Sequence, residues 1–196
     1  MFKTICKTAL KTLLLLAVLV LVAFAVASLG FPSDMAGLCE KSGNYSMAAG
    51  YANLSYTYHK DVNDLNRCFL DSVYSRNDSR IIKFGDKLIA DEKFAEVCES
   101  TQSLVETDYK QYVYGRVAAA KYRKGKKDEA VQLVKTAMEG VSDFPKNNAL
   151  AVLSVQVSES KDKDTADILL PEVQKRNPAD EDAVYYNAVI AALQNL

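Results

Sequence analysis

Few residues in this sequence could do chemistry, and their spacing does not gather them. His59, in Tyr-Thr-Tyr-His-Lys-Asp, is the single histidine. A catalytic imidazole needs a nucleophile or carboxylate beside it, and a metal needs several ligands. The chain has no H-E-x-x-H, G-x-S-x-G or P-loop pattern, and the place of His59 near a predicted helix end suits a surface residue. The cysteines are Cys6, Cys39, Cys68 and Cys98, with no C-x-x-C pair. The last three are 29 and 30 residues apart, one on each of three predicted helices. They read as small apolar packing groups. A Cys39–Cys68 disulfide is the alternative, and it requires Cα atoms within about 7 Å. Acidic pairs such as Asp162/Asp164 and Asp180/Asp182 stand at helix starts, where capping explains them. No cofactor and no metal is expected. An enzyme acting through Cys98 or His59 would lack the partners such chemistry requires.

The run Tyr122-Arg123-Lys124-Gly125-Lys126-Lys127 is basic and turns acidic at Asp128 and Glu129. A formal net charge of −1 argues against general attraction to nucleic acid. The order of charges is instead that of a turn between helices. Arg123 and Lys124 suit the negative end of one helix, Gly125 supplies a permissive backbone, and Asp128 and Glu129 suit the positive start of the next.

At the N-terminus, Lys3, Lys7 and Lys11 precede an apolar run that begins at Leu13 and ends at Leu29, with Ser28 its one polar residue. Seventeen helical residues cover roughly 25 Å, just under a hydrocarbon thickness of about 30 Å. The lysines predict a cytoplasmic N-terminus and place the remainder outside the cytoplasm. Ala25-Val26-Ala27 also has the form of a signal-peptide cleavage site, so secretion after Ala27 is the alternative. Two units follow: residues 1–30 as anchor, and residues 31–196 as a helical domain.

Gly and Pro are sparse beyond the anchor, and polar breaks separate amphipathic stretches. Helices are predicted over 33–42, 45–58, 62–74, 78–90, 93–104, 108–124, 127–141, 147–159, 164–176 and 181–194. The clearest stripe is Ala130, Val134, Ala137 and Val141. Pro171 falls inside one predicted helix, where it should kink the helix or mark its start. A frame also recurs in Gly43–Ala48, Glu92–Val97, Gly125–Ala130 and Lys161–Ala166. Its aligned residues Ala48, Val97, Ala130 and Ala166 are 49, 33 and 36 apart. Small residues, Gly85, Ala118 and Ser154 on first helices and Ala130 and Ala166 on second helices, would let helix axes approach closely.

This recurrence resembles the tetratricopeptide-repeat superfamily, over roughly residues 33–196 and most clearly over 78–178. Lys121 departs from it, standing where that family prefers an aromatic, and there is no Trp. The resemblance implies an all-α fold of antiparallel helical hairpins stacked as a solenoid behind one transmembrane helix. An irregular helical bundle is the alternative. It further implies that the first helix of each pair lines a concave face, so that Tyr112, Ala119, Tyr122 and Arg123, with Asp86 and Tyr185, would face a partner-binding groove. Tyr and Arg are the types that anchor peptide ligands. The expected function is a non-catalytic scaffold or adaptor that binds a protein or peptide near the membrane. A subunit of an envelope or secretion complex is the alternative, and no small-molecule substrate is expected. A retained anchor predicts that the intact mass of the mature protein includes residues 1–27; a mass corresponding to a start at Ser28 would identify a cleaved signal peptide.

Overall fold

The structure, a computed structural model, describes residues 2–104 and 108–196, with side chains from Leu10 onward except at residue 104; Lys3, Cys6 and Lys7 lie outside the described side chains. The described residues form α1 (Phe2–Gly30), α2 (Pro32–Lys41), α3 (Tyr45–His59), α4 (Val62–Tyr74), α5 (Asp78–Ile89), α6 (Phe94–Thr101), α7 (Tyr109–Arg123), α8 (Lys127–Ala137), α9 (Ala149–Glu159), α10 (Lys163–Gln174) and α11 (Ala183–Gln194). Short 3-10 turns at Gln102–Leu104 and Asp180–Asp182 complete them, with no strand among the described residues. The fold is all-α, as the sequence predicts.

Local chemistry sets the helix ends. Asn44, Asp61, Asn77, Asp108, Asn148 and Asp162 each accept a backbone N–H of the first turn of the helix they precede. Four connections share one C-terminal geometry, in which a left-handed residue follows the helix and crossed backbone bonds close it. After α7, Gly125 has φ 79°, its N–H donates to the Tyr122 carbonyl, and the Lys126 N–H donates to that of Lys121. The same pattern occurs at Gly43, Arg76 and Lys161. Arg76 and Lys161 adopt φ 54° and 53° without being glycine, so the turn pattern is stronger in the backbone than in the residue types.

Three expectations are corrected. The helix predicted over 127–141 stops at Ala137, with Gly140 at φ 74° beyond it. Side chains from elsewhere take the carbonyls at its end: Gln111 of α7 donates to Ala137 at 2.7 Å, and Arg176, just past α10, donates to the C-cap residue Met138 at 3.2 Å. Of the two roles expected of Pro171, a kink or the helix start, the second is overturned, because α10 begins at Lys163 and runs through it. The backbone bond that it removes belongs to the Asp167 carbonyl, and both residues are exposed, so water can serve that carbonyl. Helix α6 makes its main contacts with α7 and α4 rather than with α5; its connection from α5 lacks the left-handed turn of the other hairpins.

Helix α7 is the centre of the domain. It packs on α5, α6, α8 and α9, while α9 also meets α10 and α11. Ala118, Ala130, Ser154 and Ala166 are all buried, as the small-residue frame requires. Gly85 brings α5 against α7: a Cβ there would lie 2.2 Å from the Val117 Cγ2 and 3.3 Å from the Phe69 ring. Gly115 does the same toward α9, where a Cβ would lie 3.2 Å from the Ala149 Cα.

At the other end, Arg67 of α4 grips α2. It donates to both oxygens of Glu40, at 2.5 and 2.9 Å, and to the carbonyl and hydroxyl of Ser33. Asp71 lies one turn further along α4, where burial, reinforced by the charge of Glu40, pushes its carboxyl up to about 7. Ahead of this domain, Leu10–Gly30 of α1 is 21 residues long and unburied, long and apolar enough to cross a membrane. At about 1.5 Å per residue it covers roughly 32 Å, closing the shortfall of the 17-residue estimate. A single-pass anchor and a signal sequence both fit that segment.

Close approach at Gly85 makes a specific demand. Gly85→Ala is expected to destabilise the domain by about 1–3 kcal/mol despite the better helix propensity of alanine. Gly50→Ala, where a Cβ meets nothing within 4 Å, should be neutral or stabilising. Thermal unfolding followed by circular dichroism in detergent checks both, and Val117→Ala should relieve the Gly85 variant.

Candidate functional site

Residues Tyr112, Arg116, Ala119 and Arg123 follow one another on α7 at steps of four, three and four, and so share one face. With Tyr74 and Arg76 at the end of α4, and Asp78 and Ile81 at the start of α5, they line a cleft of about 500 Å³. Its floor is aromatic and rigid. Tyr112 stacks on Tyr109 with centroids 5.7 Å apart, and meets Phe69 edge-on at 6.4 Å. Arg116 lies 5.1 Å above the Tyr112 ring. Burial raises the Tyr112 phenol, with Arg116 opposing it, so the ring stays neutral at physiological pH. At the rim, Tyr74 is 61% exposed and rests 5.0 Å from Tyr45 of α3.

The charges of the cleft do not cancel. Arg123 holds both oxygens of Asp78, at 2.6 to 3.2 Å, and also donates to Gln156 of α9 at 2.8 Å. That fixed fork consumes the single carboxylate of the lining. Arg76 and Arg116 are exposed and have no ion-pair partner among the described residues.

Of the six residues expected in a groove, Tyr112, Ala119 and Arg123 meet in this cleft; the other three lie elsewhere, each for a physical reason. Tyr122 is 6% exposed, and its hydroxyl donates to Asp162 at 2.8 Å, tying α7 to the start of α10. Adjacent helical residues cannot share a face, so Tyr122 and Arg123 point to different neighbours. Asp86 accepts from Lys121 at 2.8 Å, and the same ammonium donates to Glu129 at 2.9 Å. Lys121 thus joins α5, α7 and α8. Tyr185 of α11 is half-buried against the core, and burial raises its phenol. Arg76 and Arg116 escaped the sequence reading. The spacing of Arg116 from Tyr112 and Arg123 was the available signal for one, whereas Arg76 sits in a turn that no periodicity marks.

The chemistry-bearing residues are placed as follows. His59 has one neighbour a helical turn back and one on the next helix: its Nδ1 lies 3.3 Å from the Ser55 hydroxyl and 3.9 Å from Asp64. The set is not a nucleophilic triad. Ser55 donates directly to Asp64 at 2.6 Å, both partners face the same ring nitrogen, and Ser55 is 1% exposed. Cys39, Cys68 and Cys98 are free thiols. Burial pushes Cys68 up to about 12 and Cys98 up to about 11, so both stay protonated and weakly nucleophilic near neutral pH. Compared with known proteins, the chain matches no family model, no curated protein and no solved structure.

Asp162 carries a pH dependence. Burial opposes its ionisation, but bonds from Lys127, Thr165 and Tyr122 outweigh that cost and hold it well below the usual carboxylate range. A depressed folded pKa stabilises the fold above the unfolded value of about 3.9 and is lost as pH falls through it. Asp162→Asn should therefore lower stability at pH 7 and flatten the decline below about pH 4. Tyr122→Phe, losing one bond, should cost about 1 kcal/mol. Unfolding free energies measured across pH check both expectations.

Proposed function

We propose that this chain is a membrane-held helical-repeat adaptor, TPR-like in its stacking, whose cleft on α7 receives an acidic segment of a partner protein. It performs no catalysis of its own. The observation that carries the reading is the pair of guanidinium groups without an ion-pair partner, Arg76 and Arg116, beside the exposed ring of Tyr74 and the half-buried ring of Tyr112. Arginine and tyrosine give large contact areas with few rotors to freeze. A guanidinium without a protein carboxylate favours an anionic ligand by charge complementarity. The supporting architecture is the succession of α5, α7, α9 and α11, each packed on the next, with α8 and α10 following as second helices.

Helix α1 is retained in this reading and crosses the membrane, with Lys3, Lys7 and Lys11 on the cytoplasmic side and the domain outside. Tethering raises the concentration of the domain near membrane partners.

A fluorescein-labelled decapeptide pool, with Asp or Glu at alternate positions and random neutral residues between, tests the cleft by fluorescence anisotropy on the full chain in detergent. Binding is expected for this pool and not for a matched Lys/Arg pool, and it should weaken with salt. Arg76→Glu with Arg116→Glu should reduce affinity by about 150-fold or more, from two charge-assisted bonds worth about 1.5–3 kcal/mol each. Undiminished binding by the double variant, or preference for the basic pool, would refute the assignment.

A further inference from the structure

Beyond the anchor, the exposed large apolar or aromatic side chains among the described residues are Phe31, Leu38, Met47, Tyr58, Tyr74, Val155, Ile168 and Val184. Half of them fall on or directly before α2 and α3, which together make up a small part of the domain. Their pattern on α3 is regular. Met47, Tyr51, Leu54 and Tyr58 lie at steps of four, three and four, within one narrow stripe of the helix. Met47 is 46% and Tyr58 54% exposed, while Tyr51 and Leu54 are half-buried. Helix α3 carries no Asp, Glu, Lys or Arg over its 15 residues.

The stripe meets α1. The Ser28 hydroxyl, in the last turn of α1, lies 3.1 Å from the Tyr51 hydroxyl. Ala27 and Ser28 are half-buried, unlike the rest of Leu10–Gly30, which is exposed throughout. Only Phe31 separates α1 from α2, so no flexible linker lets the domain stand away from the end of the span. Tyr51 is thereby fixed at the level where the apolar span ends, and that level is the headgroup zone of a bilayer.

We infer that α3 lies in the membrane interface, its axis along the bilayer plane, with the Met47–Tyr58 stripe turned into the headgroup and upper acyl region. This rests on the reading of α1 as a retained anchor. The occupant of the stripe is the lipid itself, because the stripe is continuous with a segment already apolar enough to lie in lipid. Tyrosine suits that zone, with an apolar ring and a hydroxyl that finds polar partners. An uncharged helix enters it without desolvating an ion. Phe31 and Leu38, two turns apart at the start and end of α2, add apolar surface beside it.

The chain has no tryptophan, so a single introduced indole reports without background. Full-length Met47→Trp, Tyr58→Trp, Leu19→Trp and Val184→Trp would be reconstituted in phosphatidylcholine vesicles, with lipids brominated either just below the headgroup or deep in the acyl chain. Circular dichroism would verify unchanged helicity. The expected result is emission at Met47→Trp and Tyr58→Trp roughly halved by the shallow bromines, as for a helix seated about 5–10 Å into the boundary. Leu19→Trp should be quenched by the deep bromines, and Val184→Trp, 83% exposed on α11, by neither. If Leu19→Trp is quenched while Met47→Trp and Tyr58→Trp behave like Val184→Trp, the interfacial helix is overturned and the anchor stands. If Leu19→Trp is also unquenched, both fall. Blue-shifted but unquenched emission from the two α3 positions would show that protein covers the stripe, and would overturn the lipid assignment.

Discussion

Everything in this domain depends on how closely helices can approach α7. A helix enclosed on four sides must bring several axes near its own, and bulky side chains on every face would hold them apart. Two glycines remove that obstacle at different heights: Gly85 admits Val117 of α7, and Gly115 admits the start of α9. In the turn that follows on α7, Ala118, Ala119 and Ala120 keep the helix surface thin. Dispersion and apolar burial then follow from contact distance, and they weaken steeply with any gap. The cleft inherits this spacing, since α4, α5 and α7 all line it.

Close packing around α7 would strand the polar ends of shorter helices, and buried side chains prevent it. Gln111, 6% exposed, is the main one. Its amide donates to the last carbonyl of α8 at Ala137 and accepts the first N–H of α9 at Ala149, at 2.7 and 3.0 Å. One side chain thus serves a carbonyl and an N–H that the intervening loop leaves unpaired. Tyr109 does similar work at the start of α7, donating to Asn66, which in turn donates to Thr101, joining α7, α4 and α6. Lys121 is the ionic counterpart, buried between two carboxylates of flanking helices; burial alone would lower its pKa, and those two bonds raise it instead. Polar groups thereby fix the register that apolar contacts alone would leave free to slide.

The extent to which the sequence disclosed this follows from what periodicity encodes. Amphipathic stripes located every helix of the domain, and the small residues at Gly85, Ala118, Ala130, Ser154 and Ala166 marked buried positions. These are properties of single faces, visible in spacing. Neighbour identity is a different quantity. Gln111 reads as an ordinary polar residue in Tyr-Lys-Gln-Tyr, because only the fold brings two helix ends to its amide. Arg76 reads as a loop cation, although its left-handed backbone places it at the cleft. Tyr122 and Arg123 were both expected in the groove because the repeat resemblance puts the whole first helix on one face, yet adjacent helical residues point about 100° apart. The spacing of Tyr112, Arg116, Ala119 and Arg123 held the better answer. Val141 failed for the opposite reason: a good stripe continued past a backbone that Gly140 had already turned.

The cleft and α1 are not independent parts of the molecule. Tyr74 at the cleft rim rests on Tyr45, the first residue of α3, and Arg80 of α5 donates to the Ser46 carbonyl at 2.6 Å. The same helix touches Ser28 of α1 through Tyr51. One turn and a half of α3, about 9 Å, therefore separates the rim contact from the contact with α1. A ligand seated over Tyr74 and Arg76 would press on a helix bonded to the end of the apolar span, with no flexible segment between them. Rigid attachment also limits the directions from which a partner can reach Arg116.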